Sequence, residues 1–316
     1  MNLWLGFRKT RRFCLKIKTN LLKTIFGKGR KLRYFGLPSG DIIDFEIWYH
    51  YLGEQIIAVE YDEKQLNLMH ESINFSIKES QNNSNERAIF GEIPIECFFG
   101  PYFYDINDLL IDFNLDISKI SKELCIDLIF PFDVVSLGYT SFFSKKHKKA
   151  FKSLLDMHNR EYLKKKNPSK KDFLLFYSVN TQRCKIEEKI EIDNIVMDAK
   201  GWSIKSTNNA IEIFDWLDNE GKIRDKLIVA LPYFIIRESY KMRFEPEPLG
   251  IYLWQTETSN NYFLNVVFRF SHIEDIIDKP PNEKLERVPI KSVLKIEDGE
   301  IKPYETDMPA FRIISS

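Results

Sequence analysis

Residues 31–62, KLRYFGLPSGDIIDFEIWYHYLGEQIIAVEYD, decide the fold. The apolar end of the first run leads into Tyr34-Phe35-Gly36-Leu37-Pro38-Ser39-Gly40. A helical pattern follows from Asp41 to Leu52. Gln55 to Val59 is a second short apolar run, closing at Glu60 and Asp62. Strand, glycine-containing turn, helix and acid-terminated strand make a βαβ unit. Glycines at the first turn let backbone approach a ligand, and a carboxylate about 20 residues on accepts hydrogen bonds from ribose hydroxyls. The pattern is a nucleotide-cofactor fingerprint.

On these residues the segment resembles the first two strands of class I S-adenosylmethionine (SAM)-dependent methyltransferases. That family's first motif is an acid followed by three glycines at alternate positions. Here Tyr34 stands at the acidic position and Pro38 at the middle glycine, while Gly36 and Gly40 are retained. Glu60 falls 20 residues after Gly40, where the family's ribose-binding acid lies. The resemblance implies an α/β fold: a doubly wound, mostly parallel seven-stranded sheet with an antiparallel last strand. It implies SAM as cofactor, with Gly36, Pro38 and Gly40 on its methionine side and Glu60 on its ribose. Tyr34 and Pro38 depart from the motif. They keep open a second reading, a catalytically degenerate module of the same fold that binds nucleic acid or a protein partner. Pro38 also removes a backbone N–H, which disfavours a phosphate cradle and ranks NAD below SAM. No Walker-type Gly-Lys-Ser/Thr sequence is present, which disfavours an ATPase.

The rest of the order fits the same family. Leu66, Met69, Ile73 and Ile77 mark a helix over 63–79. The third strand lies within Ala88–Phe99. The family's adenine-side acid then comes from Gly91-Glu92, or from Asp105 after Gly100-Pro101. The second is preferred, because a short helical segment, Ile106–Ile111, follows it. Cys125–Phe130 reads as the fourth strand, leaving through Pro131-Phe132-Asp133 toward Tyr139. A basic helix over 145–166 follows, then a fifth strand over 172–179. A helical region spans 211–240, interrupted near Gly221 and Pro232. Gly250–Glu257 and Tyr262–Phe270 form an antiparallel hairpin. The expected organisation is a basic helical extension over 1–29, a Rossmann-like domain over 30–272 and a tail over 273–316, with one strand near 292–296.

Length and composition bound the function. At 316 residues, with 44% hydrophobic and 29% charged residues, the chain is an ordinary globular protein. No apolar run approaches the ~20 residues of a membrane span. No secretory signal is evident, and the serine-poor N-terminus argues against a mitochondrial presequence. Cys14, Cys97, Cys125 and Cys184 lie far apart, without zinc-ligand spacing, so free thiols in a reducing cytoplasm and no metal site are expected. The neutral total hides asymmetry. Residues 1–40 hold eleven Lys or Arg and no acid, and 145–171 hold eleven more against Asp156 and Glu161. The remainder carries 24 bases against 44 acids. Basic segments at 8–33 and 145–171 suit nucleic-acid phosphates, or else are solvated helix faces.

In a doubly wound sheet ligands bind beyond the carboxyl ends of the strands. The resemblance therefore places the methyl acceptor at the fourth-strand loop. There Asp133 is the candidate for orienting the acceptor, with Phe132 or Tyr139 stacking on a base and Lys145 and Lys148 on phosphates. Asp133 is alternatively a helix cap and the aromatics core residues. Asp62 suits a helix N-terminus better than Glu60 does. His147, among lysines, reads as a surface histidine. Ser136 and Ser178 have no partners for a hydrolase triad.

Overall fold

In the computed structural model, β1 (Leu32–Gly36) is buried along its whole length. The structure describes residues 18–27, 30–38, 42–83, 88–89, 93–124, 126–127, 131–164, 172–182, 184–203, 215–219, 221–255, 262–274, 293–297 and 300–304. A strand buried on both faces suits a central place in a parallel sheet, and β1 has parallel neighbours on each side. After it come α1 (Ile43–Trp48), β2 (Leu52–Glu60) and α2 (Glu63–Asn83). A small antiparallel pair follows, β3 (Ala88–Ile89) and β4 (Ile93–Pro94), then β5 (Phe98–Phe103), α3 (Ile106–Leu115), α4 (Ile117–Leu124) and β6 (Val134–Gly138). Next is α5 (Lys145–Lys164), followed by β7 (Asp172–Asn180), α6 (Ile186–Ser203) and α7 (Ile223–Lys241). The last elements are β8 (Phe244–Gln255), β9 (Tyr262–His272), β10 (Leu294–Glu297) and β11 (Glu300–Pro303).

Two compact units divide these elements. The first takes the described residues from 18 to 138 together with 149–164. Its strands run β6-β1-β2-β5, all parallel. Phe35 stacks on Phe132 at 5.1 Å, and Tyr34 sets its ring edge against Phe45 and Trp48 of α1. Ala150, Phe151, Leu154, Leu155 and Tyr162 form the buried stripe of α5. Residues 18–26 are helical, with Leu22 buried and Thr19 Oγ1 accepting from Trp48 Nε1 at 3.1 Å. The second unit takes 139–148 and the described residues from 172 onward. Its order is β11-β10-β8-β9-β7. β9 is antiparallel to both β7 and β8, β10 is parallel to β8, and β11 turns back on β10. Tyr304 donates to Asp225 at 3.0 Å, tying the residues after β11 to α7.

Several expectations shift. Within 125–130 only 126 and 127 are described, and neither is in a strand; the fourth parallel strand is β6, farther along. Two short apolar runs lie nine residues apart, and burial alone does not choose between them. The third strand is likewise later, over 98–103. α6 was not expected: Ile192, Ile195, Val196 and Ala199 form its buried stripe at helical spacing, but exposed Ile186, Ile190 and Met197 and buried Glu191 blur that pattern in the sequence. Pro232 does not break α7, whose residues from Leu227 to Ile236 are all buried. That burial offsets a propensity cost of about 3 kcal/mol. The expected break at Gly221 falls between helical residues 215–219 and α7. β10 and β11 are additional to seven strands, where one tail strand was expected.

Arg33, second in β1, is 4% exposed, and Asp133, just before β6, is 1% exposed. A buried charge needs a hydrogen-bonded partner. Asp133 Oδ2 accepts from Arg33 N and Nε, each at 2.9 Å, and Oδ1 from Arg33 Nη2 at 3.2 Å and from Arg30. Asp133 N returns a bond to Arg33 O at 3.0 Å. Burial pushes the Asp133 carboxyl up, but the Arg33 hydrogen bonds and charge, with Arg30, outweigh it and hold it below its usual range. Asp133→Asn is expected to cost roughly 3–5 kcal/mol, since it leaves the buried Arg33 guanidinium with only the more distant, partly exposed Glu54 carboxylate at 3.8 Å; urea unfolding at neutral pH measures it. His158, fully buried beside Phe132, has its pKa lowered to about 3, chiefly by burial and then by the Arg33 charge. The unfolded chain takes up that proton near pH 6.5 and the folded chain does not. Stability therefore falls as pH drops from about 6.5 toward 3, by about 1.4 kcal/mol per unit. His158→Leu should flatten this slope in urea midpoints compared between pH 6.5 and 4.5.

Candidate functional site

The parallel register of the first unit brings four strand ends together. Gly36 is paired with Ala58 and Ser136, and Glu60 with Phe103. Leu37 N donates to Ser136 O at 3.0 Å and Tyr104 N to Glu60 O at 3.1 Å, carrying the pairing past both strand ends. Gly36, Glu60 and Asp105 thus leave the sheet at its carboxyl edge, where such sheets bind ligands.

Gly36 is required by the sheet itself. A Cβ there would fall against Ser136 O and 2.8 Å from Tyr34 Oη. Tyr34 at the acidic position is a core residue, fully buried against α1. Pro38 is buried. Gly40 lies outside the described residues. Ile42, at the entry to α1, is held at φ 44°. A β-branched residue in the left-handed region carries strain on the order of 1–3 kcal/mol.

Glu60 and Asp62 have separate roles. Asp62 caps α2, accepting from Gln65 N at 3.0 Å. Glu60 Oε1 accepts from Tyr61 N and Asp62 N, each at 2.8 Å. Burial raises the Glu60 carboxyl above its usual range, against those two backbone bonds, and the neighbouring Asp62 charge adds to the rise. A half-buried carboxylate at a strand end is the group that sequence reasoning singled out. That reasoning missed what flanks it. Tyr61 and Phe103 are 65% and 58% exposed, with rings stacked 5.9 Å apart and 6° from parallel. The available signal was an aromatic residue at the end of each of two adjacent strands. Asp105 caps α3, its Oδ1 accepting from Asn107 N at 2.8 Å and Asn107 Nδ2 at 3.0 Å.

Of the acceptor-side candidates, the two in the first unit do not gather there. Asp133 and Phe132 enter β6 rather than leave it, so they lie at the opposite edge. Asp133 is taken up by two arginines, and Phe132 is fully buried on Phe35. In the second unit, Tyr139 is buried with its ring 4.0 Å from the His147 ring. Lys148 pairs with Glu191 and lies over the Phe234 ring. Lys145 is exposed at the first turn of α5. His147 is 4% exposed, a buried histidine rather than a surface one. Among the described residues no group of His, Cys, Asp and Glu could hold a metal ion, and no helix is long and apolar enough to cross a membrane.

No protein-family model matches the chain, and no curated protein does. Among solved structures it is similar to a proposed RNA methyltransferase from Pyrococcus horikoshii, at 10% identity and TM-score 0.35, over 81% of this chain and 79% of that one. It is similar to PKMT2 from Rickettsia typhi in complex with AdoHcy, at 13% identity and TM-score 0.33, over 79% and 52%. It is also similar to an O-methyltransferase from a trans-AT PKS multienzyme of Brevibacillus brevis in complex with S-adenosyl-L-homocysteine, at 12% identity and TM-score 0.34, over 88% and 77%. The chain's own topology defines its class. Leaving out the β3–β4 pair, the first unit runs fourth-first-second-third, all parallel, and the second places an antiparallel seventh strand between the fifth and sixth. This is an α/β fold of the class I methyltransferase type.

The crowding at Gly36 yields a test independent of any ligand. Gly36→Ala should destabilise the protein by about 1–3 kcal/mol through overpacking of β1 on β6, read as a lower urea midpoint at unchanged m-value.

Proposed function

We propose that the protein is a SAM-dependent methyltransferase whose acceptor is RNA or DNA. The observation that carries this reading is the Glu60 carboxylate, half-buried at the carboxyl end of β2 and flanked by the exposed Tyr61–Phe103 pair. Hydroxyl-accepting carboxylate and flat apolar rings are the two chemistries that a nucleoside requires. Glu60 would hold the ribose hydroxyls through the lone pairs its backbone bonds leave over. Tyr61 and Phe103 would cover the adenine, with Asp105 and the first turn of α3 at its polar edge. The chain from Gly36 through Pro38 to Gly40 would hold the methionine side. Bound there, SAM supplies an electrophilic methyl group on a sulfonium sulfur. The work of the protein is then to position the acceptor and exclude water.

One feature favours nucleic acid as acceptor. Lys145 and Lys146 are exposed at the first turn of α5, which contains no acid. Positive charge at that end of a helix opposes the helix dipole, so Lys145 stands there at a cost that phosphate contacts would offset. The basic segment 8–33 is spent in part on the fold, since Arg30 and Arg33 both bind Asp133. The free thiols of Cys97 and Cys184 suit a reducing, cytoplasmic setting. A second reading keeps the fold without the reaction: a degenerate module that binds nucleic acid or a protein partner. The buried Tyr34 and Pro38 at motif positions favour it.

Calorimetric titration with SAM and S-adenosylhomocysteine separates the two. Micromolar binding is expected, weakened at least tenfold in Glu60→Ala, as befits loss of hydrogen bonds to a charged group. Because the Glu60 carboxyl is raised, affinity should begin to fall at a pH above the usual carboxylate range. Folded protein that binds neither compound would establish the degenerate module.

A further inference from the structure

His147 and Ser144 cap α5 reciprocally. Ser144 N donates to His147 Nδ1 at 3.1 Å, and His147 N approaches Ser144 Oγ at 3.5 Å. This is the geometry of a capping box, with an imidazole in the place usually taken by Glu or Gln. It fixes the tautomer. A neutral imidazole that accepts at Nδ1 carries its proton on Nε2. Nε2 lies 3.3 Å from Ser141 Oγ, so His147 donates and Ser141 accepts. The arrangement is therefore the reverse of a nucleophile and its base: His147 cannot take the Ser141 proton. Ser141 is itself held by its carbonyl, which accepts from Asn180 N at 3.0 Å at the end of β7. Its side chain is exposed, and Oγ has no hydrogen-bond acceptor among the described residues. One lone pair is occupied by the imidazole, which leaves the hydroxyl proton directed to solvent. Tyr139, its ring tilted against the imidazole with centroids 4.0 Å apart, and Phe143 hold the ring in place.

We propose that Ser141 donates this hydrogen bond to a backbone phosphate of the nucleic-acid strand, and that His147 is the positioning residue that aims it. The assignment rests on the nucleic-acid reading above and assigns the hydroxyl that accompanies Lys145, four residues along the chain. A hydroxyl supplies directional contact without charge, whereas a lysine supplies charge with little direction. The two therefore differ in what salt does to them.

The test is fluorescence anisotropy of a labelled, mixed-sequence single-stranded RNA, titrated with the full chain at several salt concentrations. Lys145→Ala should weaken binding and lower the salt slope by about one. Ser141→Ala should weaken binding about three- to tenfold at an unchanged slope, the signature of a lost neutral hydrogen bond. His147→Ala should match it, and the double variant Ser141→Ala, His147→Ala should be no weaker than either single one. His147→Gln should restore wild-type binding, because its amide oxygen can serve the cap and its amide N–H the hydroxyl. Thermal unfolding separates a structural role, since only His147→Ala loses the cap. Ser141→Ala binding like wild type, or additive effects in the double variant, would overturn the assignment while leaving the acceptor reading intact. Should His147→Ala not fold, Ser141→Ala against wild type decides alone. Wild-type protein with no affinity for RNA would overturn the acceptor reading and this assignment with it.

Discussion

The first unit depends on one carboxylate. Asp133 lies where β6 begins, and Arg33 where β1 begins, and neither charge has access to water. Beside the guanidinium bonds, Arg33 N donates to the Asp133 carboxylate and Asp133 N donates back to Arg33 O, so the pair acts as a pin between the two strands. Sliding β6 along β1 by one residue would strand both charges and turn every side chain to the other face. The register that follows puts Gly36 beside Ser136. The close approach at that point, and the strand ends beyond it, are thus set by an ion pair at the other edge of the sheet. A buried pair is weak evidence for net stability, but fixing a register is the use in which such pairs are best attested.

The fold was more legible than the site. The βαβ unit was readable because its signals are local: a glycine that the neighbouring strand tolerates, an apolar helix face and a strand closing in acid. The position of Glu60 at the end of β2 was readable for the same reason. Asp133 misled because an acid after Pro-Phe looks alike whether it leaves one strand or enters the next. Only pairing distinguishes them, and its partner, Arg33, lies 100 residues away. Tyr34 looked like a damaged motif position, but it is a core residue packed on Phe45 and Trp48. His147 looked exposed because its neighbours in sequence are lysines, although a helical residue takes its surroundings from residues three and four away. Its spacing to Ser144 was visible, but an imidazole in a capping box carries no compositional signal.

The second unit shows how a helix can escape a periodicity rule. α6 buries Ile192, Ile195, Val196 and Ala199 at helical spacing, but it also buries Glu191, paired with Lys148, and exposes Ile186, Ile190 and Met197. Asp193 and Asp198, outside that stripe, pair with Lys226 and Arg237. Apolar residues on both faces, with an acid on the buried one, blur the contrast that a pattern rule needs.

The placement of β10 has a consequence during synthesis. All four parallel strands of the first unit, and the α5 residues packed with them, have been translated by residue 164. β8 is translated by residue 255, yet its parallel neighbour begins only at Leu294. At about 5–20 residues per second, a ribosome takes several seconds to cover that interval. For that time the nascent chain has β8 without β10, an uncovered edge of the kind that recruits other strands. The first unit can settle while still tethered. The second has to keep an open flank soluble until the ribosome delivers the strand that closes it.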